Sequence, residues 1–116
     1  MNYLGLDYGA AKIGVALATG PLSEPLTTVK TKKALQSIKL LLDKYNIDSI
    51  VVGDCPESFL DELSQLGIVY QADETLSSHD AIQSLLHTTR SRRKNLEHAA
   101  AAAIILQNWL DSTVSA

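Results

Sequence analysis

The sequence predicts an α/β domain built on a five-stranded mixed sheet, in which an antiparallel β1-β2-β3 meander precedes parallel strands and helices flank the sheet. Near the N-terminus, apolar runs rich in Leu, Ile and Val are separated only by short breaks, as in antiparallel strands joined by tight turns. After residue 33, short apolar runs alternate with helical periodicity, which is typical of parallel strands joined by crossover helices. At 116 residues, we expect one domain with one core, residues 1–116.

The first half of the chain contains the predicted meander. Residues 2–7 and 13–19 are expected to form consecutive strands around a glycine-containing turn, and a Gly-Pro pair ends the second. Residues 25–30 are expected to form the third strand. Residues 34–45 then carry an apolar stripe with the spacing of an amphipathic helix, made of Leu35, Ile38, Leu41, Leu42 and Tyr45.

The middle of the chain is expected to supply the parallel strands. Residues 48–53 form a short, continuous apolar run after a helix, which suits a strand buried on both faces. Residues 56–66 begin with proline and are followed by Gly67, so they predict a helix with recognisable start and stop signals. Residues 68–72 are the fifth predicted strand.

The last part of the chain predicts two helices with a loop between them. A serine cap predicts a helix from residue 77 or 78 to 87. Residues 88–95 are polar and basic without apolar periodicity, so we expect a loop there. Residues 96–110 are expected to form the last helix. It contains five consecutive alanines, whose small side chains let a helix lie close to a sheet.

The composition is that of a soluble globular protein, with 46% hydrophobic and 20% charged residues. No apolar run approaches the roughly 18 residues that a membrane span needs, and the first residues lack the basic region of a secretory signal. Cys55 is the only cysteine, which excludes an internal disulfide and a cysteine-based zinc site. We therefore expect a cytoplasmic protein that does not associate with membranes.

Charge is distributed unevenly around the net value of -3. Residues 1–44 contain six basic and three acidic residues, residues 45–89 contain eight acidic and none basic, and residues 90–116 contain four basic and two acidic. If the two basic ends fold together, they could form a surface that faces phosphate groups. An ordinary solvated surface explains the same distribution equally well.

Acidic or metal-competent side chains lie at the ends of three predicted elements. Asp7 closes the first strand, Asp73 and Glu74 follow the fifth, and Glu97 and His98 fall in the first turn of the last predicted helix. Ligands of open α/β sheets bind beyond the carboxyl ends of strands, where Asp7 and Glu74 are expected. Carboxylates with an imidazole and no thiolate suit Mg²⁺ or Mn²⁺. One or two such ions could orient a water and stabilise the leaving oxygen in phosphodiester hydrolysis.

Each of these positions also has an ordinary structural explanation. Asp7 could form an Asx turn before Gly9, although an aspartate in an apolar strand is costly to desolvate without a partner. The Asp-Glu pair after the fifth strand could be an exposed loop pair. Glu97 could complement the helix dipole, and His98 could be a surface histidine. Only the joint placement of the five residues indicates a site.

Four segments carry a resemblance to a known family: residues 4–19 (LGLDYGAAKIGVALAT), 48–53 (DSIVVG), 69–86 (VYQADETLSSHDAIQSLL) and 97–110 (EHAAAAAIILQNWL). They resemble, in order and over nearly the whole chain, the YqgF/RuvX family of RuvC-like nucleases within the RNase H-like superfamily. That family shows a strand-end Asp before a Gly-x-x-x-x-Gly spacing, then an Asp-Glu pair before Leu-Ser/Thr-Ser/Thr. A C-terminal helix follows, Ala-rich and then Ile-Leu-Gln.

The resemblance implies an RNase H-like fold and a metal-dependent nuclease acting in 5′-end processing of pre-16S rRNA or in Holliday-junction resolution. It implies that Asp7 and Glu74 bind Mg²⁺ or Mn²⁺. His98 aligns with the third acid of the family and would be a ligand or a water-orienting base, with Glu97 as the alternative. The implied partner is structured RNA or branched DNA, bound by a monomer or homodimer. Phosphates would contact the turn at Gly9 together with Lys12, Arg90, Arg92, Arg93 and Lys94.

The sequence departs from the family pattern in three places. His98 replaces an acid, Thr75 stands where the family commonly has Arg, and the stretch after Gly53 is short. These departures leave two interpretations open, an active nuclease and a weakened nucleic-acid-binding or ribosome-assembly module of the same fold. The Asp-x-Gly turn also occurs in ATP-binding proteins of the actin/sugar-kinase class, but those need two lobes, which 116 residues do not supply.

Overall fold

The computed structural model describes residues 1–72 and 90–114, with side chains of the last helix from residue 97 to residue 112. The predicted helix at 77–87 lies outside the described residues, as do Asp73, Glu74 and Thr75. The strands are β1 (Tyr3–Asp7), β2 (Lys12–Ala18), β3 (Ser23–Lys30), β4 (Ser49–Val52) and β5 (Ile68–Gln71). The helices are a 3-10 turn (Thr31–Lys33), α1 (Ala34–Lys44), α2 (Glu57–Ser64) and α3 (Arg90–Val114).

The five strands form one mixed sheet in the order β3-β2-β1-β4-β5. β1 pairs antiparallel with β2, which pairs antiparallel with β3, whereas β4 is parallel to both β1 and β5. The predicted sheet is therefore confirmed. The third strand begins at Ser23, earlier than expected, and Pro25 is tolerated within it because β3 is an edge strand.

One face of the sheet carries the larger core. Alternate residues of β1 and β2 point to this face, where α1 and α2 cover them. All are branched aliphatic or aromatic side chains except Ala34, so burial of apolar area is the main stabilising contribution on this side. The buried residues are Leu4, Leu6, Ile13, Val15, Ala34, Ile38, Ile50, Val52, Phe59 and Leu63.

The opposite face is lined by small residues and packs against α3. Ala16 and Ala18 of the sheet share a buried cluster with Ala102 and Ala103 of the helix. A Cβ added to Gly5 would lie 2.7 Å from the Cβ of Leu106, closer than real Cβ atoms approach other heavy atoms. The helix therefore lies so close to the sheet that glycine is needed beneath it, which agrees with the expected role of the alanine run.

The C-terminal part of α3 is fixed to the sheet by polar and aromatic contacts. Gln107 accepts a hydrogen bond from the Ser23 amide (2.8 Å) and donates one to the Pro21 carbonyl (2.9 Å). The Trp109 ring lies 5.4 Å from that of Tyr3 and 5.1 Å from that of Tyr70, both within the range of favourable aromatic pairs. These contacts hold the C-terminal part of the helix against the sheet.

The expected loop at residues 88–95 is wrong from residue 90 onward, because α3 begins at Arg90. The segment lacks an apolar stripe, but Arg and Lys are good helix formers, and their intrinsic propensity favours a helix here. As a result, Glu97 and His98 lie two turns inside the helix and not in its first turn. Helix-dipole stabilisation is confined to the terminal turn, so it does not explain Glu97.

Across residues 1–72 and 90–114, no helix combines the length and apolar character that a membrane span requires.

Candidate active site

Asp7 is the last residue of β1 and lies opposite Gly14 of β2. It is two residues beyond Gly5, so its side chain points to the α3 face of the sheet. A Cβ added to Gly14 would lie 2.7 Å from the amide nitrogen of Ala99 and would overlap the carbonyl group of His98. The absence of a side chain at Gly14 therefore allows the α3 backbone to approach Asp7 at the level of His98.

His98 is the described side chain that this approach brings to Asp7. Its Nδ1 lies 3.8 Å from Oδ2 of Asp7, too far for a hydrogen bond, and the two form an ion pair only when the imidazole is protonated. The side chain of His98 is 42% exposed and that of Asp7 is 23% exposed. The pair is thus open to solvent on the imidazole side, and a ligand could reach it there.

The ionised Asp7 carboxylate is destabilised by its burial and only partly stabilised by its surroundings. Burial raises the pKa of the Asp7 carboxyl above its ordinary value, and attraction by His98 offsets only part of this effect. A carboxylate that is partly desolvated without full compensation is stabilised by a cation placed next to it. The Asp7 carboxylate is a donor that hard divalent cations prefer, and the His98 imidazole is a possible second donor.

The turn at residues 8–11 forms the rim of this site. A Cβ on Gly9 would overlap the carbonyl oxygen of Lys12 and lie 3.8 Å from Cε1 of His98. The Thr31 hydroxyl donates a 2.8 Å hydrogen bond to the Gly9 carbonyl, and the Thr31 amide donates a 3.0 Å bond to the Ala11 carbonyl. The turn is therefore fixed from outside and lies beside the imidazole.

The structure places the remaining predicted site residues in different ways. Lys12 is exposed and begins β2 at the end of the same turn. Glu97 is exposed, and neighbouring positions on a helix do not face the same way, so it does not join His98 beside Asp7. Within the described side chains, no third His, Cys, Asp or Glu completes a metal-binding group. The basic residues predicted to bind phosphate, Arg90, Arg92, Arg93 and Lys94, belong to the first turns of α3.

Thr31 was not identified from the sequence as a site residue. Its hydroxyl contacts a turn 22 residues away, and no local pattern reports a hydrogen bond of that range. The only available signal is that a Thr follows the last residue of β3, at the sheet edge where Asp7 also lies.

The mixed sheet in the order β3-β2-β1-β4-β5, with the last helix packed on one face, is the architecture of the RNase H-like fold class. The chain belongs to the RuvX family, described as Holliday junction resolvase, whose model matches residues 1–66 and 54–112. This membership decides against the ATP-binding class considered from the sequence.

Relatives of known name match the chain over nearly its full length. A protein of Thermoanaerobacter pseudethanolicus is 31% identical over 97% of both chains. One of Clostridium botulinum is 34% identical over 97% of this chain and 98% of its own. One of Anaeromyxobacter sp. is 38% identical over 96% of this chain and 97% of its own. All three carry the provisional name pre-16S rRNA nuclease.

Solved structures share the fold at low identity. Thermus thermophilus RuvC in complex with a Holliday junction matches with a TM-score of 0.64 at 16% identity, over 98% of this chain and 96% of that one. A fowlpox virus resolvase with Holliday junction DNA matches with a TM-score of 0.67 at 14% identity, over 98% and 99%.

Proposed function

We propose that this protein is a metal-dependent endonuclease of one catalytic domain whose substrate is the 5′ region of precursor 16S rRNA. The observation that carries the proposal is the partly buried Asp7 carboxylate facing His98 at the carboxyl end of β1. The relatives at 31–38% identity support the rRNA substrate through their name. A Holliday junction is the second substrate to test, because the family is described as Holliday junction resolvase.

Asp7 and His98 are the residues that would hold Mg²⁺ or Mn²⁺, and Glu74 is proposed as the third ligand from its place after the fifth strand. Glu97, the alternative that the resemblance left open, does not lie beside Asp7 and is therefore not proposed as a ligand. When bound, the ion would polarise the phosphoryl group and make a water more acidic, which is the usual contribution of a metal to phosphodiester hydrolysis.

The other residues act on the phosphate and the water. If His98 is not a metal ligand, its partly exposed imidazole could instead accept a proton from an attacking water, since its ring faces both solvent and Asp7. The fixed turn at Gly9 lets backbone approach a phosphate closely, and Lys12 at its end would neutralise charge. The first turns of α3 would supply further phosphate contacts through Arg90, Arg92, Arg93 and Lys94.

Cleavage of two labelled substrates tests this proposal: a precursor rRNA fragment and a four-way DNA junction, each with Mn²⁺ or Mg²⁺. We expect metal-dependent cutting of the rRNA, reduced by at least about 100-fold in Asp7→Asn, because even the outer partners of metal ligands contribute 10- to 100-fold. The matched control is Asp43→Asn, the same exchange at an exposed position of α1. Equal activity in both variants would contradict the proposal. Cutting of the four-way junction alone would show that the substrate is branched DNA and not precursor rRNA.

A second candidate function is a non-catalytic nucleic-acid or ribosome-assembly module. The family pattern has an acid where this chain has His98. Asp7 is therefore the only carboxylate in the Asp7–His98 pair, and fewer acidic ligands favour a module with weak metal binding. Binding of either substrate without cutting, in the presence of Mn²⁺, would support it.

We also propose that the protein works in the cytoplasm, where precursor rRNA is processed, as a monomer or homodimer. A junction cut on two strands would need two paired sites and therefore a dimer. Sedimentation of the protein with and without each substrate measures this.

A further inference from the structure

A groove of about 570 Å³ lies on the α1 and α2 side of the sheet, beside the turn at residues 8–11. We call it the Tyr8 groove, and its walls include Tyr8, Lys32, Lys33, Gln36, Phe59 and Glu62. Its volume is within the roughly 300–1,000 Å³ of typical ligand sites. Apart from Tyr8, which belongs to the turn at the rim of the candidate active site, these residues are part of neither that site nor the predicted phosphate contacts.

The Tyr8 groove and the candidate active site share the turn as a common wall. Tyr8 directly follows Asp7 in the chain, and successive residues at the end of a strand point to opposite faces. The turn is held by Thr31, which also lines the groove, through its hydrogen bond to Gly9. A chain that passes over this turn would meet Asp7 on one side and the groove on the other.

The floor of the groove presents an aromatic surface. The rings of Tyr8 and Phe59 lie 4.9 Å apart at 52°, a tilted arrangement that fixes the orientation of both. Phe59 is buried, whereas Tyr8 is only partly buried. A partly exposed ring held in one orientation is a surface on which a nucleobase can stack, and such stacking does not depend on base identity.

The rim of the groove is basic on one side. Lys32 and Lys33 are exposed, and within the described part of the chain neither makes an ion pair. Glu62 is the one acidic residue among the lining side chains. The pocket of about 340 Å³ between α1 and the N-terminal ends of β4 and β5 differs, since it contains Asp43 and Asp48 against one lysine, Lys39, and no aromatic ring. The Tyr8 groove therefore combines exposed lysines with an aromatic surface, and this combination is complementary to the phosphates and bases of a polynucleotide.

We infer that the Tyr8 groove binds an unpaired nucleotide of the substrate strand next to the cleaved phosphate, with its base on Tyr8 and its phosphates at Lys32 and Lys33. This inference rests on the proposed nuclease function and adds a single-stranded flank to the substrate. Gln36 offers amide groups to the edge of the base. The groove thus favours substrates whose strand is unpaired beside the cut.

The base contact is tested by binding in chelator, where no strand is cut. The probes are fluorescein-labelled oligothymidine and an abasic deoxyribose-phosphate oligomer of the same length. The wild-type protein should prefer the probe with bases by about tenfold, and Tyr8→Leu should abolish that preference. Tyr8→Phe keeps the ring and should retain it. Equal affinity of the wild type for both probes, or an unchanged preference in Tyr8→Leu, would overturn the inference.

The phosphate contacts are tested separately and without altering the core. Each single-strand phosphate contact contributes about 0.7 to the slope of log affinity against log salt, so Lys32→Ala/Lys33→Ala should lower that slope by about 1.4. Lys39→Ala, an exposed lysine of α1 in the other pocket, is the matched control and should leave it unchanged. An unchanged slope in the double variant would refute the contacts even if Tyr8→Leu failed to fold.

The binding assay also separates this inference from the nuclease proposal, because it requires no cleavage. A protein that cuts its substrate through Asp7 but shows no base preference would lack the groove site and remain a nuclease. A base preference lost in Tyr8→Leu, in a protein that cuts neither substrate, would establish the groove and refute the nuclease.

Discussion

Replacing Gly14 by alanine should separate α3 from the sheet and damage the candidate active site without touching a polar side chain. The new Cβ would lie 2.7 Å from the Ala99 amide nitrogen and closer still to the His98 carbonyl. Ordinary Cβ contacts begin at 3.4 Å, so the helix must move by at least 3.4 − 2.7 = 0.7 Å at Ala99, and further at His98. Overpacking of this kind typically costs about 1–3 kcal/mol.

The movement also lengthens the 3.8 Å separation of Asp7 and His98. A misplacement of about 1 Å can reduce catalysis by about 100-fold, so the cleavage rate should fall by that order. Urea unfolding measures the stability change, and cleavage of the better substrate measures the rate. Gly20→Ala is the matched control, since its added Cβ meets nothing within 4 Å. It should be neutral or stabilise by up to about 1 kcal/mol.

No glycine of the described chain has a positive φ, so backbone strain does not contribute at Gly14 and the expected loss is steric alone. A Gly14→Ala protein with wild-type stability and activity would therefore refute the argument that close approach of α3 positions His98.

Three further predictions follow from the same contacts. Asp7→Asn should raise stability near neutral pH in chelator by roughly 0.5–2 kcal/mol. Burial raises the pKa of Asp7, so above that pKa the ionised carboxylate destabilises the folded wild type. The stability difference between Asp7→Asn and the wild type should therefore shrink as the pH falls through this pKa. Urea titrations that show the same stability difference at every pH would contradict this. Mn²⁺ should raise the Tm of the wild type and not of Asp7→Asn, and equal shifts measured by scanning calorimetry would place the metal elsewhere. Thr31→Val should cost about 1 kcal/mol and lower the cleavage rate, because the 2.8 Å bond that fixes the Gly9 turn is lost; a variant with unchanged urea midpoint and rate would show that the turn needs no such support.

The sequence predicted the sheet well because its information is local there. The strand of residues 48–53 is a continuous apolar run, and the structure buries Ser49, Ile50, Val51 and Val52 in β4. Asp7 was identified because a carboxylate at the end of an apolar strand needs a partner. The alanine run predicted close packing of the last helix, and Gly5 lies beneath that helix as expected for such a contact.

What the sequence did not predict depends on long-range contacts. The start of α3 at Arg90 was missed because polar residues carry no apolar stripe, although their intrinsic helix propensity is high. Thr31 and the Tyr8 groove arise where β1, the 3-10 turn and α2 meet, and these segments are far apart in the chain. The Asp7–His98 distance depends on how closely two backbones approach, which spacing within either segment does not specify.

The aromatic contacts of Trp109 bear on the geometry of His98, although the two residues are eleven positions apart. At 1.5 Å per residue, α3 spans about 16 Å between them, and a helix packed on glycine and alanine has few side chains that can absorb a tilt. Between these two residues, the helix lies directly on the sheet where Leu106 meets Gly5. A partner or substitution that displaced Trp109 from Tyr3 and Tyr70 would tilt the helix and thereby move the His98 imidazole relative to Asp7. The position of His98 relative to Asp7 therefore depends in part on the aromatic contacts of Trp109 near the C-terminal end of the helix.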